Sequence, residues 1–305
     1  MAQTVARKFA LLIGVSEYGE GFEPLSAPPK DVAAMQRVLT NPELGGFDPA
    51  HVKTLINPTQ TEMQTAIFRL FNGSTKDDLI LLFFSGHGIT NDDNHLYFCT
   101  RQTSKAEYPA TAVPASYIQT LSNNLNYAKR QVMILDCCYS GAFAEGWQRK
   151  GDVKVELAQE LGKEGRVVLT SSSATQVSWQ QQQADLSLYT QYLVEGLEEG
   201  GADEDGDGLV KVRELHSYAK RKVQEVKPKM KPDIIVGNDE GYDIVVSRVI
   251  SGPKVQFRQL VESYIDDKNG KIRNQRCQEI LDQKAKRLGL KSDEAENIIL
   301  NILEP

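Results

Sequence analysis

The sequence predicts an α/β fold, a mostly parallel sheet with helices on both faces, followed by a small helical module. Three observations carry this expectation. Apolar runs and helical repeats alternate through the first two-thirds of the chain, which implies parallel strands joined by right-handed crossovers. The two strongest runs, Asp78–Ser85 (DLILLFFS) and Gln131–Asp136 (QVMILD), are continuous rather than alternating in apolar residues, as strands covered on both faces require. From Ser251 onward only helical spacing remains.

The elements follow in order. Lys8–Val15 (KFALLIGV) reads as a buried strand. Asp31–Leu39 places Val32, Met35, Val38 and Leu39 on one helix face. His51–Ile56 and Thr61–Phe71 read as a strand and a helix, and Asp78–Ser85 as the next strand. Pro114–Leu125 is read as a helix, Gln131–Asp136 as a strand, Val153–Leu161 as a short helix and Arg166–Thr170 as a strand. Leu186–Leu197 and Val212–Val226 are helical, and Tyr242–Val246 is strand-like. Ser251-Gly252-Pro253 then divides the chain into a domain over 1–250 and a module over 251–305. In that module Val255–Ile265, Lys271–Leu288 and Asp293–Leu303 read as helices broken at Asn269-Gly270 and Gly289.

Composition narrows the function. The 305 residues are 40% hydrophobic and 25% charged, with a net charge of −6. No dense Lys/Arg stripe points to nucleic acid. The longest apolar run is too short to span a bilayer, and Met1–Lys8 lacks a secretion signal's apolar centre. A cytoplasmic, membrane-free protein is expected. The four cysteines, Cys99, Cys137, Cys138 and Cys277, contain no C-x-x-C pair, which argues against a disulfide framework or structural zinc and leaves room for one reactive thiol.

A thiol attacks a carbonyl as thiolate, so it needs a neighbouring base. Of four histidines only His87 lies between glycines directly after a buried strand. Cys138 follows another such strand, 51 positions later. Chemistry in open α/β sheets sits at the carboxyl ends of strands. If the two strands are neighbours, imidazole and thiol meet at one sheet edge, where backbone N–H groups of Gly88 and Cys138 can face an oxyanion.

Ser85-Gly86-His87-Gly88 together with Asp136-Cys137-Cys138-Tyr139-Ser140-Gly141 resembles the catalytic signature of the metacaspases and orthocaspases. The resemblance covers about residues 8–247 and implies a caspase-like fold, with His87 as base, Cys138 as nucleophile and Cys137 a non-catalytic neighbour. It also implies cleavage of protein or peptide substrates after Arg or Lys. A cationic side chain needs carboxylate partners, and Asp31, Ser85 and Asp136 match the family's pocket positions. Asp31 also reads as a helix N-cap, and Asp136 as a structural hydrogen-bond acceptor. Where metacaspases carry a cysteine three residues before the first of these, this chain has Pro28. The segment from Thr170 through Ser171 to Trp179 resembles the strand and loop that cradle substrate backbone, with Trp179 either walling a pocket or packing on the core.

Asp203-Glu204-Asp205-Gly206-Asp207-Gly208-Leu209-Val210-Lys211-Val212-Arg213-Glu214 fits a calcium-binding helix–loop–helix pattern. The expected ligands are Asp203, Asp205, Asp207, Leu209 and Glu214. Lys211 sets a cation beside them, and a metal-free acidic turn capping the next helix is the other reading. Gly146–Gly165 contains Arg149, Lys150, Lys154 and Lys163, where a basic-specific zymogen would cut itself; ordinary solvated charges fit the same residues. By family analogy alone, the C-terminal helices recruit a protein partner in a bacterial defence or cell-death pathway. A non-catalytic scaffold and a thiol amidase are the rival functions.

Overall fold

The structure, a computed structural model, describes residues 6–93, 95–123, 127–139, 166–171, 185–205, 207–236, 241, 243–249, 253–266 and 271–303. The chain divides into two compact units, Met1–Arg248 and Val249–Pro305.

The first unit is built on one mixed, mostly parallel sheet. Its strands are β1 (Lys8–Gly14), β2 (Val52–Ile56), β3 (Leu79–Thr90), β4 (Leu96–Phe98), β5 (Val113–Pro114), β6 (Arg130–Tyr139), β7 (Arg166–Thr170) and β9 (Asp233–Val236). The main path runs β2-β1-β3-β6-β7-β9. The central pairs are parallel, β9 closes one edge antiparallel to β7, and β4 turns back on the end of β3. A separate antiparallel pair joins β8 (Leu209–Lys211) to β10 (Val245–Arg248).

Helices cover both faces. Helices α2 (Gln60–Asn72) and α4 (Ala115–Ser122) bury Met63, Ile67, Leu70, Phe71 and Ile118 against Leu11, Ile13, Ile80, Leu82, Phe84, Met133 and Leu135. The alternate strand residues face the other way, toward α1 (Pro28–Thr40) and α5 (Leu188–Glu198), which lie side by side. Pro28 and Pro29 start α1, where a missing N–H costs nothing. Helix α2 is capped reciprocally: Glu62 accepts the Thr59 N–H at 2.8 Å, and the Thr59 hydroxyl accepts the Glu62 N–H at 3.3 Å. Helix α3 (Tyr108–Thr111) bridges toward β5, and α6 (Val212–Val226) packs beside α5.

Several expected boundaries move. The strand expected to stop at Ser85 runs to Thr90, and the one expected to stop at Asp136 runs to Tyr139. Their apolar runs end earlier, but mutual pairing, and β4 on the far side of β3, keep the backbone extended. Residues 49–51 form a 3₁₀ turn before β2, with the Asp48 carboxylate accepting the Ala50 N–H. The helix read over Pro114–Leu125 is Ala115–Ser122, and the strand read over Tyr242–Val246 is Val245–Arg248. The helix expected over Val153–Leu161 lies outside the described residues. Strands β4 and β5 are too short to leave a periodic signal.

The second unit contains α7 (Pro253–Ser263), α8 (Gln275–Arg287) and α9 (Ser292–Leu303). Their core is Phe257, Val261, Leu281, Ala285 and Ala295. Cys277, on α8, is also buried. Gly289 follows α8 with φ +72°, a left-handed helix end that suits glycine.

Candidate active site

The parallel register of β3 and β6 pairs Ser85 with Asp136, Gly86 with Cys137, His87 with Cys138 and Gly88 with Tyr139. Neighbouring strands lie about 4.8 Å apart. The sequence's two motifs are therefore adjacent rungs of one ladder. Ser85–Gly88 and Asp136–Tyr139 are the last four paired positions between the two strands. Cys137 is buried in the core face beside Met133 and Leu135, consistent with a non-catalytic neighbour.

His87 is fixed at three points. Its N–H donates to the Tyr18 hydroxyl at 2.9 Å. Its carbonyl accepts the Cys99 N–H at 3.0 Å. Its Nε2 lies 2.9 Å from the Glu23 carbonyl oxygen. That oxygen only accepts, so Nε2 carries the proton and the neutral ring keeps its lone pair on Nδ1. Burial holds the His87 pKa below the ordinary imidazole value, with the nearby Lys105 charge acting the same way. The imidazole is therefore in the state a general base needs near neutral pH. Tyr18 and Phe22 flank the ring at centroid distances of 4.7 and 5.4 Å.

One rung earlier lies a pair of carboxylates. Asp31, in the first turn of α1, is fully buried. Its Oδ2 accepts the Ser85 hydroxyl at 2.7 Å and the Ser187 hydroxyl at 2.6 Å; its Oδ1 accepts the Ser187 N–H at 2.8 Å. Asp31 makes no N-cap bond of its own: the cap position is Ala27, with no side-chain cap. Asp136 is half-buried, and its Oδ2 accepts the Thr190 N–H at 3.1 Å and hydroxyl at 2.6 Å. Ser171 is buried and hydrogen-bonds to Asp136 as well. Burial raises both carboxyl pKa values, and the Asp136 charge adds to the rise at Asp31. Two acids close enough to interact resist double ionisation, and a cation beside them relieves that cost.

Sequence reasoning missed Tyr18, Glu23, Ser187 and Thr190. Ser187 did carry a local signal, a serine just before a helix. Its hydroxyl, however, is spent on Asp31 and not on its own helix.

The 203–214 loop brings oxygens of Asp203, Asp205 and Glu214 within 4.8 Å of one another. Lys211 Nζ bridges Asp205 at 2.7 Å and Asp207 at 2.6 Å, which raises the ammonium pKa. Glu214 accepts the N–H of Lys211 at the start of α6. Leu209 begins β8. The hard oxygen donors suit Ca²⁺, and the loop also has the internal bonds of a capping turn.

Trp179, Arg149, Lys150, Lys154 and Lys163 lie outside the described residues. Cys99 is buried and its thiol pKa is raised by that burial. Among the described residues no helix is long and apolar enough to cross a membrane.

Comparison with known proteins adds three findings. The family model described as the caspase domain matches residues 7–240. A solved structure of a Geobacter sulfurreducens protein superposes with a TM-score of 0.55 at 16% identity, covering 78% of this chain and 97% of that one. Caspase-1 from Spodoptera frugiperda superposes with a TM-score of 0.54 at 14% identity, covering 76% and 86%. Among curated proteins no relative matches the chain.

Proposed function

The chain belongs to the caspase-domain family of cysteine peptidases, and we propose that it is an endopeptidase cutting after Arg or Lys, with Cys138 as nucleophile and His87 as base. The observation that carries this reading is the His87–Cys138 rung, together with an imidazole whose proton is committed to the Glu23 carbonyl.

The chemistry follows from those positions. His87 Nδ1 takes the thiol proton, and the Cys138 sulfur attacks the scissile carbonyl carbon. Backbone N–H groups of Gly88 and Cys138 hold the oxyanion. The imidazolium then protonates the departing amine, and water, deprotonated by His87, releases the acyl group. Asp136 and Asp31, with Ser85, select a cationic side chain, since a guanidinium matches carboxylate oxygens in fork geometry. Substrate backbone runs along Ser171. The same preference offers self-cleavage at Arg149, Lys150, Lys154 or Lys163.

For the acidic loop the proposed ligand is Ca²⁺, held by Asp203, Asp205, Asp207, the Leu209 carbonyl and Glu214, with Lys211 released. The support is the convergence of three carboxylates on one point.

A fluorogenic Arg-peptide assay tests the central reading. Wild type is expected to release the fluorophore and Cys138→Ala to be silent. Equal signals from the two proteins replace the peptidase with a scaffold that recruits partners through the C-terminal helices.

A further inference from the structure

We propose that Tyr18 is a positioning residue for His87, acting through a hydroxyl inserted into the sheet between β1 and β3; this rests on the dyad reading above. The two strands pair regularly from Lys8–Leu79 to Gly14–Ser85. The next bond is also regular, Val15 N–H to Ser85 O at 2.9 Å. In a continuing parallel ladder the bond after that takes His87 N–H to Val15 O. Here His87 N–H donates to the Tyr18 hydroxyl, and that hydroxyl donates to Val15 O. One O–H with both a donor and an acceptor role thus stands in for a direct rung. Burial raises the phenol pKa far above its ordinary value, so the donor is kept.

The sheet leaves room for this oxygen. A Cβ at Gly86 would sit 3.0 Å from the Tyr18 hydroxyl and 3.2 Å from Val15 O. A side chain there would crowd the phenol oxygen, which must give by a few tenths of an ångström. On the other side β3 stays paired with β6 through His87–Cys138 and Gly88–Tyr139. The hydroxyl thus parts β3 from β1 at His87 while the β6 contact persists. The same segment, Tyr18 to Glu23, flanks the ring and accepts the hydrogen bond from its Nε2–H. Without the hydroxyl, the His87 N–H is either orphaned or drawn onto Val15 O. Either outcome shifts the imidazole relative to the Cys138 rung.

The test compares wild type, Tyr18→Phe, Gly86→Ala and His87→Ala. Cys138 alkylation by iodoacetamide is followed by peptide mass spectrometry across pH, and kcat and KM are measured on an Arg peptide. Tyr18→Phe is expected to lose about tenfold or more in kcat with KM little changed, as misplacement of a catalytic group does. Its alkylation profile is expected to move toward that of His87→Ala. A structural role alone lowers the melting temperature and leaves that profile intact. Should Tyr18→Phe fail to fold, Gly86→Ala, which keeps the phenol and crowds its oxygen, must show the same kcat loss and profile shift. Folded variants with wild-type kcat and profile overturn the proposal alone. Wild type and His87→Ala alkylating alike overturn the dyad reading, and this inference with it.

Discussion

Asp31 and Asp136 are both held by the first turn of α5: Ser187 gives its N–H and hydroxyl to Asp31, and Thr190 gives its own to Asp136. The two acids raise each other's cost of ionisation, and burial pushes Asp31 up to about 7. Below that value Asp31 is largely neutral; above it the pair carries the charge a cation needs. KM for an Arg peptide is therefore expected to fall as pH rises from about 5.5 to about 8. In Asp31→Asn this dependence should weaken, leaving what Asp136 contributes. A flat wild-type KM across that window contradicts the arrangement.

The partly exposed member of the pair should dominate recognition. Asp136→Asn is expected to raise KM for an Arg peptide by about tenfold or more, the worth of one charge-assisted hydrogen bond. Thr190→Ala keeps the backbone donor and removes the hydroxyl, so its effect should be smaller. Steady-state kinetics with Arg and Asp peptides check both. Similar rates on the two peptides remove the specificity.

Among the described side chains three thiols are buried, those of Cys99, Cys137 and Cys277. A buried thiol whose pKa is raised, as at Cys99, is a poor nucleophile. Brief iodoacetamide treatment of the native protein should modify Cys138 alone, and all four cysteines after denaturation. Rapid labelling elsewhere in the native state counts against this assignment.

At the acidic loop, Lys211 competes with any added cation. Calorimetry should show Ca²⁺ binding more tightly to Lys211→Met than to wild type, by about tenfold or more. Asp203→Ala should abolish it. No heat from wild type or Lys211→Met leaves the loop as a capping turn.

His216 on α6 is buried, with Nδ1 3.1 Å from the Tyr189 hydroxyl and, among the described residues, no hydrogen-bond partner for Nε2. Burial, reinforced by Lys220, lowers its pKa to about 4. A depressed histidine stabilises the fold above its unfolded pKa of about 6.5, and that stability is lost as pH falls. The loss between pH 7 and pH 4 should approach about 3 kcal/mol. His216→Gln should show correspondingly less acid sensitivity in denaturant melts.

Much of the molecule was legible in the chain itself. Continuous apolar runs located β1, β3, β6 and β7 because strands buried on both faces need them. His87 and Cys138, each just after such a run, were expected at one sheet edge if the two strands were neighbours, and β3 and β6 are neighbours. Tyr18, Ser187 and Thr190 were not legible. Their partners lie 69, 156 and 54 positions away, and no local pattern marks a hydroxyl that serves a residue so distant in the chain. The reach of β3 and β6 past their apolar runs was hidden for the same reason, since pairing sustains it.

The use of α5's leading N–H groups by Asp31 and Asp136 ties two properties together. A helix start normally finds acceptors in its own first residues or in water; this one finds them in the acids assigned to grip the substrate. Exchanging those acids to retune cleavage preference also strips the helix of its terminal acceptors. New specificities in this scaffold must then arrive with replacement acceptors for the Ser187 and Thr190 N–H groups, or weaken the start of that helix.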